Sequence, residues 1–184
     1  MAEFDASALA VLFGVGIVSG ALNVVAGGGS FLTLPVLIFL GLPPTIANAT
    51  NRVGVLAQNA GGVAGFHRSR AIDWRWGLSV AVPSILGAVA GATWALHLSD
   101  FAFKRLLSVA MLVMTLWTLR RHTYADGQHV LSPWRPWNVT AFLVIGVYGG
   151  LIQAGVGFAV LAATSMAGMD LVRGNAVKLL AVCC

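Results

Sequence analysis

Two glycine runs, each inside an otherwise apolar stretch, are the features of this sequence best suited to binding a ligand. Each run follows an amide side chain, and the residues concerned are Asn23, Gly27, Gly28, Gly29, Gln153, Gly155 and Gly157. Glycine is unfavourable inside a helix, so each run predicts a break after which a new helix begins. Free backbone N–H groups and the positive end of that helix favour an anion. Close helix packing is the alternative explanation of the glycines, and a contact between helices is the alternative for the two amides.

A polar segment follows each glycine run at the same distance along the chain. The residues that we expect near a bound anion are Asn48, Thr50, Asn51 and Arg52 after the first run, and Asn175 and Lys178 after the second. Each segment is predicted to begin a helix, which makes Asn48 a candidate N-cap as well as a candidate ligand. Arg52 and Lys178 are ionisable groups in apolar surroundings and are therefore functional candidates. They would either neutralise an anion or extend their charged ends to the edge of the apolar layer.

The sequence lacks the residue patterns of a catalytic, metal or nucleotide site. Ser30, Ser84 and Ser108 have no His and Asp partners at a catalytic spacing, and the two cysteines, Cys183 and Cys184, are adjacent. No metal-ligand spacing or ATP-binding loop occurs. The isoelectric point near 10.0 is high enough to suggest nucleic acid, but the basic residues lie at the ends of hydrophobic segments, as membrane orientation signals do. We therefore expect no enzyme activity, no cofactor and no nucleic-acid partner.

The composition predicts an integral membrane protein whose main partner is the lipid bilayer. Hydrophobic residues make up 58% of the chain and charged residues 9%, and the mean hydropathy is +0.86, whereas soluble domains carry about 25% charged residues. The hydrophobic stretches lie near 7–22, 30–41, 47–66, 77–97, 101–119, 138–153, 157–168 and 174–184. Their continuous apolar character favours helices over a barrel. The residues expected at the membrane surfaces are Trp74, Trp76, Trp94, Trp117, Trp134 and Trp137.

Two basic clusters set the expected orientation in a bacterial-type inner or plasma membrane. One cluster spans residues 67–75 and the other residues 120–135, with two hydrophobic stretches between them. Both clusters therefore lie on one side, which the positive-inside rule makes cytoplasmic. The acidic N-terminus then lies outside, and nothing in it resembles a cleaved signal. Asp73 is expected to form a solvated surface pair with Arg75.

The second half of the chain repeats the order and spacing of motifs in the first half. In this repeat alignment Gly28 corresponds to Gly155, and Asn48 corresponds to Asn175. A glycine break, a short apolar arm, a glycine-led turn and an Asn-Ala pair follow one another in both copies. Three hydrophobic stretches separate the copies, so the second copy is expected to be inverted in the membrane. Inverted repeats with paired interrupted helices are a recurring architecture of secondary transporters.

The predicted fold is an all-α, polytopic transmembrane helical bundle with two inverted repeats, each containing a glycine-broken helix pair. It forms a single transporter domain, 1–184, with repeat 1 at about 7–119 and a partial repeat 2 at about 138–184. The counterpart of residues 52–119 would occupy roughly 179–246. The second repeat is therefore expected to be truncated.

Several short motifs occur in order through the chain. They are Gly27-Gly28-Gly29-Ser30-Phe31, Leu34-Pro35, Gly41-Leu42-Pro43-Pro44, Ala47-Asn48-Ala49-Thr50-Asn51, Asp73-Trp74-Arg75, Gly149-Gly150-Leu151-Ile152-Gln153-Ala154-Gly155-Val156-Gly157-Phe158 and Arg173-Gly174-Asn175-Ala176-Val177-Lys178. This ordered set resembles the sulfite exporter TauE/SafE family of membrane permeases over essentially the whole chain.

The resemblance implies a gradient-driven secondary transporter that exports or takes up small sulfur-containing anions such as sulfite or organosulfonates, without ATP. It also implies that certain motif residues lie near the substrate: Asn48, Thr50, Asn51, Asn175 and Lys178. A proton is the candidate coupling ion, and a homo-oligomer is one option for the assembly. The alternatives are an anion channel and an inactive, truncated membrane fragment, the second because family members are usually longer than this chain.

Overall fold

The computed structural model describes residues 5–119 and 130–182, and every regular element in that part of the chain is an α-helix. The described helices are α1 (Ala6–Ala26), α2 (Ser30–Phe39), α3 (Pro44–Arg68), α4 (Trp74–Ala95), α5 (Asp100–Leu119), α6 (Pro136–Leu151), α7 (Val156–Met166) and α8 (Leu171–Val182). Each predicted hydrophobic stretch coincides with one helix, so the predicted all-helical fold is confirmed. The basic residues 120–122 and the two cysteines lie outside the described residues.

Two of the described helices, α1 and α4, are long and apolar enough to cross a membrane. They contain 21 and 22 residues, which at a rise of about 1.5 Å per residue spans the hydrocarbon core of roughly 30 Å. Along α1 the large apolar side chains of Leu9, Phe13, Ile17 and Val25 are exposed. An apolar surface of this kind is suited to contact with lipid rather than with water.

Both predicted glycine breaks are present. Gly27 and Gly155 adopt φ angles of +83° and +76°, in the left-handed region that side chains disfavour. α1 therefore stops before α2 begins, and α6 stops before α7 begins. A second pair of turns follows α2 and α7, where Gly41 and Gly168 have φ angles of +94° and +91°. Glycine is thus required by the backbone at both ends of each short helix.

The helices after these second turns begin earlier than the sequence analysis predicted. α3 begins at Pro44, a residue well suited to a first helical position because its missing N–H would be unpaired there. α8 begins at Leu171, behind Asp170, whose carboxylate accepts from the N–H groups two and three residues further on. Asn48 and Asn175 are each the fifth residue of their helix, so the prediction that they begin the helices, with Asn48 as an N-cap, is wrong.

Two predictions about the start of α4 also need correction. Asp73 is not part of a solvated pair with Arg75, because its carboxylate accepts hydrogen bonds from the backbone N–H groups of Arg75 at 3.0 Å and Trp76 at 3.2 Å, as an N-cap does. Trp76, predicted at a membrane surface, is 4% exposed and packs in a core cluster with Val80 and Phe142. The remaining tryptophans are at least partly exposed.

The closest helix pair joins α4 and α6 through small residues. A methyl carbon added to Gly91 would overlap the carbonyl oxygen of Val147, and one added to Gly150 would lie 2.7 Å from the carbonyl carbon of Ala88. The same holds for Gly87 and Gly146, whose added carbons would meet backbone atoms of the other helix. Backbones approach this closely in membranes where small residues recur every four positions.

Candidate functional site

The two glycine breaks touch each other. A methyl carbon added to Gly27 would lie 2.6 Å from the Cα atom of Gly157, so neither position has room for a side chain. Close to this contact, the rings of Phe31 and Phe158 lie with their centroids 5.8 Å apart. The first turns of α2 and α7 therefore lie against each other.

The contacts around this meeting point are reciprocal. A carbon added to Gly28 would lie 2.5 Å from the ring of Phe158, and one added to Gly155 would lie 2.9 Å from the ring of Phe31. The repeat alignment that pairs Gly28 with Gly155 also pairs Phe31 with Phe158. Each break therefore holds the aromatic side chain that follows the other break, and a larger residue in place of either glycine would displace that ring.

The first backbone N–H groups of α2 and α7 are left without an acceptor in the described part of the chain. The backbone N–H groups of Gly29, Ser30, Val156 and Gly157 donate to no acceptor among the described residues, as is usual in the first turn of a helix. Since the two breaks touch, the positive ends of two helix dipoles lie near one another. Such an arrangement stabilises an anion.

Asn51 ties α3 to the start of α2. Its amide nitrogen donates to the hydroxyl of Ser30 at 2.9 Å, and its amide oxygen accepts a hydrogen bond from the hydroxyl of Thr33. The side chain is 4% exposed. In this structure Asn51 therefore fixes the first turn of α2 beside the break.

Arg52 binds the last turn of α6. Its Nη2 atom donates to the carbonyl oxygens of Gly149, at 3.3 Å, and Gly150. Its Nε and Nη1 atoms have no acceptor among the described residues. The half-buried side chain lines a cavity of about 60 Å³ together with Ser84 and Gln153. Arg52 thus keeps free donors beside a small cavity at the break between α6 and α7.

Lys178 binds the last turn of α1 in the corresponding way. Its ammonium donates to the carbonyl oxygens of Asn23, at 2.8 Å, and Val24, at 2.9 Å, and to the side-chain oxygen of Asn175 at 2.8 Å. The side chain is 1% exposed, so the alternative in which Lys178 extends to the edge of the apolar layer is wrong. The repeat alignment pairs Asn23 with Gly150, so each half of the chain supplies the cation for the other half's broken helix.

Of the other predicted site residues, some form contacts near the breaks and one is exposed. The side-chain oxygen of Asn48 accepts from the backbone N–H of Gln153 at 3.3 Å, which joins α3 to the second break. The side chain of Asn23 donates to the side-chain oxygen of Asn59 at 3.0 Å. Thr50, by contrast, is exposed on α3 and is not brought into this group.

Asn59 is a buried polar residue that the sequence analysis missed. It is 1% exposed, and its amide nitrogen has no partner among the described residues. The buried residues of α3 are Ala47, Asn48, Asn51, Val55 and Asn59, and the last four recur at the three- and four-residue spacing of a helix face. This periodic row of asparagines along an apolar helix is the sequence signal that could have identified Asn59.

None of the described carboxylates forms an ion pair with Arg52 or Lys178. Asp5, Asp73 and Asp170 are N-caps or precede a helix, and Asp100 lies in the first turn of α5, where it accepts from the hydroxyl of Thr45 at 2.6 Å. Within residues 5–119 and 130–182, the ion pair present joins Arg173 to Asp170 at 3.5 Å. Arg52 and Lys178 are therefore bound by neutral oxygens and, in this part of the chain, lack a carboxylate partner.

The Asp5 carboxylate accepts from the backbone N–H of Ala8 and from the hydroxyl of Ser7, each at 2.8 Å. These hydrogen bonds, that of Ala8 first, hold the pKa of Asp5 below its usual value. The start of α1 thus carries a negative charge at neutral pH.

Comparison with known proteins identifies the family. A family model described as sulfite exporter TauE/SafE matches residues 12–184. The chain is similar to the probable membrane transporter protein ORF9 of Sinorhizobium sp., with 26% identity over 170 residues that cover 91% of this chain and 65% of that protein. It is equally similar, at 26% identity and 91% coverage of this chain, to a probable membrane transporter protein of Haemophilus influenzae, of which it covers 67%. The probable membrane transporter protein YfcA of Escherichia coli strain K12 is also 26% identical and is covered to 63%.

The chain thus spans about two thirds of the length of these curated relatives. No solved structure matches it. The match of the family model covers nearly the whole chain, from Leu12 in α1 through α8. The protein belongs to the sulfite exporter TauE/SafE family, a family of membrane transporters.

Proposed function

We propose that this protein is a secondary membrane transporter, or permease, for small sulfur-containing anions such as sulfite or organosulfonates, driven by an ion gradient. The observation that carries the proposal is the meeting of two broken helices at their positive ends, with Arg52 and Lys178 close by and no described carboxylate bound to either. The family name supports this class of substrate, and the names of the relatives support a membrane transporter without naming a substrate.

The charge distribution favours an anion over a cation as the transported species. Two cationic side chains and two helix N-termini raise the local electrostatic potential, and an anion entering the region would be stabilised by both. A cation would be repelled by the same groups. An ionisable residue inside a membrane segment is also energetically costly, so its presence there indicates a function.

We place the anion beside Arg52, in the cavity of about 60 Å³ that Ser84 and Gln153 also line. The guanidinium presents a planar fork of donors that matches the oxygens of a sulfite or sulfonate group. The free Nε and Nη1 atoms are the donors available to it. A cavity of this size holds about two water molecules, so the anion would replace water at this position.

We propose further that the two halves are inverted repeats that alternate access to this site. The reciprocal pairs Gly28 with Phe158 and Phe31 with Gly155 support this arrangement, as do the two cations that cross from one half to the other. Rocking one half against the other would open the breaks alternately to the two sides. The bilayer would be a bacterial-type inner or plasma membrane, crossed several times, with the N-terminus outside.

The inverted orientation predicts opposite accessibility of the two glycine-led turns. In a background with both native cysteines replaced by serine, Thr45→Cys should react with an impermeant thiol reagent added to intact cells. Val172→Cys, at a 57% exposed position, should react only after the membrane is opened. The background without an introduced cysteine is the control, and reaction of both positions from one side contradicts the inverted orientation.

Transport itself is tested with the protein in proteoliposomes. We expect uptake of radiolabelled sulfite that rises when a pH gradient is imposed and that falls when unlabelled methanesulfonate competes, because both carry the oxygens that Arg52 would bind. Protein-free liposomes measure leakage. Uptake that never exceeds electrochemical equilibrium would indicate a channel instead, and absence of uptake would contradict the proposed function.

A further inference from the structure

We propose that the end of α1 is a site for a monovalent cation and that the Lys178 ammonium occupies it as a built-in cation, so that transport needs no Na⁺ there. The site consists of the carbonyl oxygens of Asn23 and Val24 and the side-chain oxygen of Asn175. The flux part of this inference rests on the proposed function; the binding part does not.

The geometry is that of a small cation held by neutral oxygens. The Nζ atom lies 2.8, 2.9 and 2.8 Å from these oxygens, and the side chain is 1% exposed. An ammonium has three donors, and all of them are used. Rings of carbonyl oxygens replace the hydration shell of an alkali cation in the same way where such ions bind inside membrane proteins.

The broken end of α1 explains why a cation is needed at this point. The last carbonyl oxygens of a helix lack N–H partners within the helix and carry the negative end of its dipole. Gly27 donates its N–H to the oxygens of Leu22 and Asn23, which leaves the oxygen of Val24 to Lys178. In secondary transporters, such half-helix ends coordinate the coupling Na⁺ or H⁺. Here the chain supplies the charge itself.

The second break repeats the arrangement. Arg52 donates to the carbonyl oxygens of Gly149 and Gly150 at the end of α6. Gly150 and Asn23 correspond in the repeat alignment. Both broken helices therefore end on a basic side chain from the opposite half. The two side chains themselves are not aligned, because Lys178 corresponds to Asn51 and Arg52 to Leu179.

The binding part is tested by Lys178→Ala in the otherwise complete chain. Removal of the side chain empties a cage of oxygens that a small cation can enter. We expect Na⁺, K⁺ or ammonium, compared with choline at equal ionic strength, to raise the melting midpoint of the purified variant by about 2–4 °C. The midpoint of the unaltered protein should be the same in all four salts, because Lys178 already fills the cage.

Lys104→Ala is the matched control, since Lys104 is exposed on α5 and its removal opens no cage. A Lys178→Ala variant that responds to none of the small cations contradicts the proposal. If that variant does not fold, the unaltered protein still decides the matter, because a Na⁺-dependent rise of its own midpoint would show an unfilled cation site.

The flux part uses the unaltered protein in proteoliposomes with Na⁺ or choline outside. Because Lys178 already fills the site, we expect the uptake rates in Na⁺ and in choline to agree within about twofold. A coupled ion would instead change the affinity for sulfite by about 5–150-fold. Sulfite uptake that requires Na⁺ contradicts the proposal that Lys178 replaces Na⁺, but it leaves the proposed function intact. Absence of uptake in either salt counts against the proposed function, and the melting midpoints then decide on the cation site.

Discussion

Gly150→Leu is expected to disrupt the contact between α4 and α6 and to lower the stability of the folded protein substantially. A carbon added at Gly150 would meet the carbonyl group of Ala88, and backbone atoms cannot turn aside as a flexible side chain can. Overpacking costs about 1–3 kcal/mol where neighbours can shift, so we expect a loss of about 3 kcal/mol or more out of a total of roughly 5–15 kcal/mol. The melting midpoint in detergent should fall by about 10 °C.

Gly14→Leu is the matched control for this substitution. Gly14 lies on the exposed side of α1, and a carbon added to it would meet no atom within 4 Å. Leucine is also a better helix former than glycine, so the midpoint should stay the same or rise slightly. Gly91→Leu, which addresses the same contact from α4, should repeat the loss. If Gly150→Leu and Gly14→Leu melt at the same temperature, α4 and α6 do not pack in this way.

The helices could be predicted from local composition, but their pairing could not. Apolar stretches between charged or glycine-rich segments reveal a membrane helix directly, because the bilayer imposes its length. The pairing of α4 with α6 depends on residues far apart in the chain. Gly87 with Gly91 and Gly146 with Gly150 show the four-residue spacing of close helix packing. That spacing indicates a packing face on each helix but does not identify the helix that packs against it.

The helix starts were misplaced although the sequence contains the relevant signals. Pro44 is favoured at a first helical position, and Asp170 is a common capping residue. Pro44 lies four residues before Asn48, and Asp170 lies five residues before Asn175, the two asparagines at which the sequence analysis places the helix starts. Asn48 and Asn175 are predicted as helix starts because asparagine is also a good N-cap. Only the position of the preceding glycine turn decides between an asparagine and the earlier Pro44 or Asp170.

The sequence analysis names residues that the structure brings together, but it does not give the contacts that they make; their role in binding substrate stays a prediction. The two glycine breaks and the polar residues after them lie together, apart from Thr50. The bond from Lys178 to Asn23 joins residues 155 positions apart, and no local pattern gives such a pairing. The repeat comes closest, because its alignment relates the acceptor Asn23 at the end of α1 to the acceptor Gly150 at the end of α6, although it does not pair Lys178 with Arg52.

Arg52→Met is expected to lower sulfite uptake by about 100-fold in protein that remains folded. The substitution removes the guanidinium that we place against the anion. A hydrogen bond to a charged group contributes about 1.5–3 kcal/mol, and a loss of about 1.4 kcal/mol of binding free energy corresponds to tenfold. The loss of the donor to the carbonyl oxygens of Gly149 and Gly150 affects the stability of the fold instead. Initial rates of uptake at several sulfite concentrations, normalised to the folded protein in the liposomes, measure both the rate and the KM.

Arg52→Lys and Arg105→Met separate the role of Arg52 from a general loss of positive charge. A lysine keeps the charge but is a point donor without the planar fork, so it should retain part of the rate and raise the KM for sulfite. Arg105 is exposed on α5, where its guanidinium lies 4.2 Å above the ring of Phe101, and Arg105→Met should transport normally. A lower folded yield for Arg52→Met with an unchanged KM would reduce Arg52 to a structural support of α6. An increased KM in both Arg52 variants, with melting midpoints close to that of the unaltered protein, would place the anion beside its guanidinium.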